Sequence, residues 1–163
     1  MPREAISTPP EHAVIQLQRD IRISFPSTSL SVRRALETVI SSLAALSLEP
    51  EELGTVELVL AEALNNVVEH AYGEGERGWI SLECAQRPDG LHFTILDEGK
   101  PMPDGIAPMG LRVPLPEELD ALPEGGFGWF LIQDLSHDVQ YFRTGDVNRL
   151  SFRINIGVTL LPN

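Results

Sequence analysis

The sequence predicts an α/β protein, a two-layer sandwich in which helices cover one face of a mixed, mostly antiparallel sheet. Apolar residues that alternate with polar ones predict strands, and two pairs of such runs separated by short turns predict antiparallel hairpins. Two longer segments with apolar residues at helical spacing stand between the first predicted strand and the first hairpin. Hairpins imply an antiparallel sheet, and helices that cover one of its faces complete a two-layer domain.

The elements are predicted in the order strand, two helices, hairpin, long loop, helix and hairpin. Residues 1–15, with three prolines, are expected to form a flexible N-terminal arm ahead of a single domain over 16–163. We predict strands over 21–25, 79–86, 91–97, 138–142 and 149–156, and helices over 31–47, about 50–72 and 127–136. The segment between the first hairpin and the last helix, 98–126, contains six prolines. An irregular connection of this length inside a compact domain is typical of a lid or binding loop.

Composition narrows the functional classes. The 163 residues suit one compact domain, and the formal net charge of −12 disfavours direct binding to nucleic acid. No apolar run reaches the ~18 residues that a membrane span needs, and the first residues lack the apolar core of a secretion signal. Cys84 is the single cysteine, which excludes an internal disulfide. We therefore expect a cytoplasmic protein.

The stretch "EALNNVVEHAY", residues 62–72, places polar side chains on a helix that needs an apolar face. At about 100° per residue, Glu62, Asn66 and Glu69 share one stripe of that helix. Such a stripe is either a solvated face or the lining of a site. Glu69 fits a solvated or helix-stabilising role better.

Two later motifs contain glycine. In "DEGKP", residues 97–101, Asp97 ends a predicted buried strand and Gly99 follows two residues later. In "GGFGWFLIQDL", residues 125–135, glycines lead into an apolar helix. Each motif alone fits an ordinary turn or junction. A helix start also offers unpaired N–H groups to a phosphate, and glycine there removes the side chain that would keep the phosphate away.

In this order, the three motifs resemble those of the gyrase/histidine-kinase superfamily of ATPases, which have the Bergerat fold. Within it, the chain is most similar to the bacterial anti-sigma-factor serine kinases. "EALNNVVEHAY" matches the N box, "DEGKP" the first glycine box and "GGFGWFLIQDL" the last one. The proline after the first glycine box and the absence of attached histidine-bearing helices favour the anti-sigma branch.

The resemblance implies roles for the matching residues. Asn66 corresponds to the ligand of Mg²⁺, and Glu62 to the general base toward the attacking hydroxyl group. Asp97 corresponds to the acceptor of a hydrogen bond from the adenine amino group of ATP. The remaining implied nucleotide contacts are Asn65, Gly99, Gly126 and Gly128.

One position departs from the family pattern. Many members carry a basic residue just before the last glycine box, but this chain has Glu124 there. Lys100 or Arg112 in the predicted lid could supply the missing positive charge. Without it, phosphoryl transfer would lose a large electrostatic contribution.

The resemblance implies an ATP- and Mg²⁺-dependent protein serine kinase that sequesters a sigma factor. Its substrate would be a serine on an antagonist of the sulphate-transporter/anti-sigma-antagonist (STAS) type, and a homodimer is expected. Two alternatives stay open. One is a non-catalytic nucleotide- and partner-binding module of the same fold, and the other is a histidine-kinase-type ATPase domain acting on a separate phosphoacceptor.

Overall fold

The computed structural model describes residues 20–72, 78–102 and 126–157. The predicted N-terminal arm, residues 1–15, and the predicted lid from residue 103 to 125 lie outside these ranges. The strands are β1 (Ile21–Pro26), β2 (Trp79–Arg87), β3 (Gly90–Asp97), β4 (His137–Thr144) and β5 (Val147–Ile154), and the helices are α1 (Ser29–Leu43), α2 (Pro50–Asn66) and α3 (Gly126–Leu135).

The strands form one sheet in the order β1-β2-β3-β5-β4. The predicted α/β two-layer class is confirmed, and every neighbouring pair of described strands is antiparallel, so this part of the sheet is not mixed. The β2–β3 and β4–β5 hairpins account for two of the pairs. Because β5 returns beside β3, Asp97 at the end of β3 lies directly opposite Asn148 near the start of β5.

Local signals explain where the first two helices begin. Thr28 precedes α1 and its side-chain oxygen accepts a hydrogen bond from the backbone N–H of Ser31 at 3.1 Å. Glu49 and Glu52 form a capping box at the start of α2, where Pro50 occupies the first turn. None of the helices in the described ranges has the length and apolar character needed to cross a membrane.

The second helix differs from its prediction at its C-terminal end. The α-helical part stops at Asn66, and a π-helical turn follows over Val67–Ala71. A π-helical turn holds more residues than an α-helical one, so it shifts the faces that the following side chains occupy. Glu69 therefore leaves the stripe of Glu62 and Asn66, and its side chain is 66% exposed. The interpretation of Glu69 as solvated agrees with this position.

The core lies between α1 and α2 and one face of the sheet. Residues of α2 at helical spacing are fully buried against inward-facing residues of β2 and β3; they include Val56, Val59, Leu60, Ala63 and Leu64 on the helix and Ile80, Leu82, Phe93 and Ile95 on the strands. The Phe93 and Phe152 rings stack with their centroids 5.5 Å apart across β3 and β5. Helix α2 is thus the central core helix, and its polar stripe borders the core.

Replacing Leu60 with alanine should lower the free energy of unfolding by about 2–5 kcal/mol, because its side chain is 0% exposed and leaves a cavity in the core. Leu58 on the same helix is 40% exposed, so Leu58→Ala is the matched control and should cost less than about 1 kcal/mol. Urea unfolding followed by circular dichroism measures both. Equal losses would contradict the assignment of this face of α2 to the core.

Candidate functional site

Glu62 and Asn66 of α2 lie against the first turn of α3. A methyl group built on Gly128 would stand 2.6 Å from Oε2 of Glu62 and 3.6 Å from Nδ2 of Asn66. The α3 backbone therefore passes directly over these two side chains, and the missing side chain at Gly128 makes the approach possible. Glu62 and Gly128 are 66 positions apart in the sequence, yet the fold brings the first and third motifs into contact.

The amide of Asn66 has an unused hydrogen-bonding atom. Its Nδ2 is buried and has no hydrogen-bond partner among the described residues. An unpaired buried polar group costs about 1–3 kcal/mol, so the Asn66 amide is a candidate for a contact with a water, an ion or a ligand. A half-turn of the amide presents Oδ1 at the same place. An amide oxygen beside the Glu62 carboxylate is a hard oxygen donor set that fits Mg²⁺, which takes only one or two ligands from a protein.

Asp97 forms a second polar centre at the end of β3. Its side chain is 7% exposed, and Oδ1 accepts hydrogen bonds from the Gly99 backbone N–H at 2.9 Å and from Nδ2 of Asn148 at 2.8 Å. Burial raises the pKa of the Asp97 carboxyl, and the two hydrogen bonds and the positive charge of Arg143 oppose that shift. Oδ2 receives no hydrogen bond from the described residues. The described residues thus hold one oxygen of Asp97 and place no donor on the other.

The loop that follows Asp97, residues 97–102, is held from three sides. Its backbone hydrogen bonds are Glu98 N–H to the Tyr72 hydroxyl at 2.8 Å, Lys100 N–H to the Ala71 carbonyl at 2.7 Å and Met102 N–H to the Tyr141 hydroxyl at 2.9 Å. The Tyr72 hydroxyl in turn donates to the Trp79 carbonyl at 2.9 Å. This loop is therefore a preorganised platform and differs from a freely moving connection.

Gly99 allows the loop to touch the end of the helical segment. A methyl group on Gly99 would lie 2.4 Å from the carbonyl oxygen of Ala71 and 2.7 Å from its Cβ. The first glycine motif therefore packs on the π-helical turn that follows the first motif. Glu62 and Ala71 are nine positions apart, which corresponds to about 13 Å along a helix. Glu62 belongs to one polar centre, and the loop that follows Asp97 contacts this segment at Ala71.

The other predicted site residues are less directly placed. Asn65 and Lys100 are exposed, on α2 and on the 97–102 loop, and Gly126 is the first residue of α3. Arg112 and Glu124 lie outside the described residues. The structure thus brings Glu62, Asn66 and Gly128 together and joins Asp97 and Gly99 to the same helical segment.

Sequence reasoning missed Tyr141, Arg143 and Asn148, which surround the 97–102 loop. Arg143 donates to the Gly99 carbonyl at 2.9 Å, and Asn148 donates to the Gly99 and Lys100 carbonyls at 3.1 Å each. One signal in the sequence could have identified Asn148. It is the one polar member of an alternating inward-facing set on β5 whose other members are Leu150, Phe152 and Ile154.

Comparison with known proteins identifies the family of this chain. A family model described as a histidine kinase-like ATPase domain matches residues 25–154. The chain belongs to the histidine kinase-like ATPase family. The match covers all eight described helices and strands except the first part of β1. The matched range includes all three motifs.

The relatives of this ATPase domain confirm the predicted resemblance to anti-sigma-factor serine kinases. It is 33% identical over 91 residues to the serine-protein kinase RsbW of Oceanobacillus iheyensis, a match that covers 55% of this chain and 58% of that protein. It is 25% identical over 123 residues to the anti-sigma F factor of Geobacillus stearothermophilus, covering 76% and 82% of the two chains. The match thus spans little more than half the length of the RsbW relative.

A solved structure shares the fold. The crystal structure of the RsbU and RsbW domains of Rv1364c from Mycobacterium tuberculosis superposes with a TM-score of 0.59. The sequence identity is 14%, and the match covers 84% of this chain and 32% of that one. At this identity, the similarity shows the fold of the ATPase domain alone.

Gly99→Ala should lower the free energy of unfolding by about 1–3 kcal/mol, because the added methyl group collides with the Ala71 backbone, which cannot rotate away. Gly54→Ala is the matched control. Gly54 is an exposed position of α2 with no atom within 4 Å of the added group, so this variant should gain about 0.5–1 kcal/mol. Chemical unfolding of the two variants measures both changes in the free energy of unfolding. A stabilised Gly99→Ala variant would rule out the close contact.

Asp97→Asn should raise the melting temperature at neutral pH. Because burial raises the pKa of the Asp97 carboxyl, the stability that protonation contributes is full below the unfolded pKa of about 3.9 and is lost as the pH rises through the folded pKa. Asparagine stays neutral and can still accept from Gly99 and Asn148 through its oxygen. The difference in melting temperature between variant and wild type should therefore be smallest in acid and grow toward pH 7.

Thermal unfolding between pH 4 and pH 8 tests this expectation. Asp134→Asn is the control, since Asp134 is exposed on α3, away from the Asp97 network. An Asp97→Asn variant that is less stable than the wild type at pH 7 would contradict the proposed cost of burying this carboxylate.

Proposed function

We propose that the protein is an ATP- and Mg²⁺-dependent protein serine kinase that also sequesters a sigma factor. The observation that carries this proposal is the contact of Glu62 and Asn66 with the glycine start of α3, while Asp97 stands at the other end of the same helical segment. A nucleotide has a base and a phosphate chain, and the two polar centres match these two ends in chemistry.

Asp97 would hold the base of ATP. Its Oδ2 accepts no hydrogen bond from the described residues, and an ionised carboxylate only accepts. The adenine amino group donates, so it complements this oxygen, whereas guanine carries a carbonyl at the corresponding position. Gly99 would let the base approach the backbone of the 97–102 loop. Asn65, exposed on α2, would add a contact at the edge of the nucleotide.

The phosphates of ATP would lie between α2 and the start of α3. The first N–H groups of a helix have no partner within the helix, and the helix dipole adds positive potential there. Gly126 and Gly128 leave room for the phosphate oxygens. Asn66 would bind Mg²⁺ through its amide oxygen, and the ion, when bound, neutralises charge on the phosphates.

Glu62 would act as the general base in the transfer step. The hydroxyl oxygen of the target serine attacks the γ-phosphorus, the bond from that phosphorus to the bridging oxygen of ADP breaks, and the hydroxyl proton passes to Glu62. The carboxylate of Glu62 lies beside Asn66 and Gly128, where the terminal phosphate would be held. Arg112 would supply positive charge to the phosphates in place of a basic residue at position 124, whereas Lys100 is held on the 97–102 loop at the Asp97 end.

The relatives named anti-sigma F factor and serine-protein kinase RsbW support the choice of partners. We propose that the chain holds a sigma factor until a STAS-type antagonist competes for it, and that phosphorylation of a serine on the antagonist then releases the antagonist. We further propose that the protein acts in the cytoplasm as a homodimer, with residues 1–15 as an arm beside the single domain.

A second candidate function is a non-catalytic module that binds a sigma factor or antagonist, with nucleotide as a structural ligand. Glu124 supports this candidate, because a negative charge before the last glycine box opposes the terminal phosphate. Tight ATP binding without transfer to any partner would favour the module. An acid-labile phosphohistidine product would instead indicate a histidine-kinase-type ATPase.

Glu62→Gln should reduce phosphoryl transfer by about 10²–10⁴-fold while leaving ATP binding nearly unchanged, because an amide cannot take the proton. The assay is incubation with [γ-³²P]ATP, Mg²⁺ and a STAS-domain protein from the same organism, followed by separation of the labelled protein. Glu57→Gln is the matched control, since Glu57 is exposed on the same helix. Unchanged labelling by Glu62→Gln would remove Glu62 from the role of base.

Calorimetry should show that the protein binds ATP and ADP, that GTP binds at least about tenfold more weakly, and that Mg²⁺ strengthens binding of ATP. Asn66→Ala should abolish most of the Mg²⁺ effect, because it removes the proposed protein ligand. Equal affinities for ATP and GTP would contradict the base pocket, and an unchanged Mg²⁺ effect in Asn66→Ala would contradict the metal assignment.

A further inference from the structure

We propose that Asn148 is a positioning residue that fixes the Asp97 carboxylate for recognition of adenine, and that Tyr141 and Arg143 fix Asn148 in turn. The inference rests on the proposed nucleotide site and deepens it. It assigns specificity for the base partly to the β4–β5 hairpin, which none of the three motifs contains.

Asn148 uses both atoms of its amide within the protein. It is 3% exposed, and Nδ2 donates to Oδ1 of Asp97 at 2.8 Å as well as to the Gly99 and Lys100 carbonyls. Oδ1 accepts from the Tyr141 hydroxyl at 2.6 Å and from Nη1 of Arg143 at 2.8 Å. A buried amide with this many partners has one orientation, because a flipped amide would face donors with its own donor.

The direction of each hydrogen bond follows from its neighbours. Met102 N–H donates to the Tyr141 oxygen, so the Tyr141 proton is free to point at Asn148, and the guanidinium of Arg143 can only donate. The amide oxygen of Asn148 therefore faces Tyr141 and Arg143, and its NH₂ group faces Asp97. Tyr141 and Arg143 thus determine that Asn148 presents a hydrogen-bond donor to Asp97, although neither belongs to the three motifs.

Oδ1 of Asp97 is consequently held as an acceptor. Both contacts to Oδ1 are donors, the Gly99 N–H and the Asn148 amide, so a proton on that oxygen would have no acceptor. Arg143 from β4 favours the ionised form, whereas burial opposes it; the other titratable neighbours are Tyr72 and Glu98. An ionised Asp97 with Oδ1 occupied presents Oδ2 to the base. It accepts from the adenine amino group and repels the guanine carbonyl.

The principal variant is Asn148→Ala, and the readout is the ratio of the dissociation constants for GTP and ATP. We expect ATP to bind roughly tenfold more weakly, the size of effect of one hydrogen bond to a charged group, with little change for GTP. The preference for ATP should then fall by the same factor. Asn155→Ala, which removes an exposed amide beyond the end of β5, is the matched control and should preserve the preference.

A double-mutant cycle separates positioning from a merely structural role. If Asn148 acts through Asp97, then Asn148→Ala should cause no further loss of preference in an Asp97→Asn background. Tyr141→Phe keeps the shape of the side chain but removes its proton, so it should lower the preference in the same direction by a smaller factor. The Tyr141→Phe variant also provides the test if Asn148→Ala is too unstable to measure.

A measurement without nucleotide completes the test. The ¹³C shift of the Asp97 carboxyl, followed against pH, should show a higher pKa in Asn148→Ala than in the wild type, because a donor to the ionised form is lost. An unchanged pKa, or equal weakening of ATP and GTP, would overturn the inference while the nucleotide site stands. Failure of the wild-type protein to bind ATP would instead overturn the proposed function, and the role of Asn148 in adenine recognition with it.

Discussion

The structure depends above all on the close approach of the α3 backbone to the polar stripe of α2. A core helix cannot keep a carboxylate and an amide at its buried edge unless something polar meets them. Gly128 places backbone without a side chain at that point. A methyl group added to Gly128 would lie 3.6 Å from Nδ2 of Asn66. The contact places the α3 backbone against this pair of side chains, and the Asn66 amide Nδ2 keeps no hydrogen-bond partner among the described residues.

At Asp97, a second buried polar side chain is stabilised in a different way. Asp97 is buried at the end of a central strand, and two hydrogen-bond donors offset part of the cost of burying its charge. The donors come from its own loop and from the β4–β5 hairpin, so the sheet itself orients the carboxylate. A site whose polar groups are already oriented loses little free energy on binding, which is the general advantage of preorganisation. The cost appears as the raised pKa of Asp97.

Much of the fold was predictable because its signals are local. Alternation of apolar residues placed β2 and β3 to within a residue or two, and glycine and proline marked the ends of elements. The π-helical turn after Asn66 was not predictable, since it has no distinct residue pattern; in the structure its last residue, Ala71, lies against Gly99. The antiparallel character of the whole described sheet was underestimated, because the pairing of β5 with β3 joins segments more than fifty positions apart.

The sequence by itself determined the chemistry of this protein: a carboxylate and an amide one helical turn apart, an aspartate at a strand end and a glycine-rich helix start, in an order typical of histidine kinase-like ATPases. These features depend on short-range spacing, which the chain carries directly. Only the tertiary structure decided which residues hold Asp97 in place. Tyr141, Arg143 and Asn148 act through hydrogen bonds across 39 to 51 positions of sequence, and such bonds exist only once the sheet has paired.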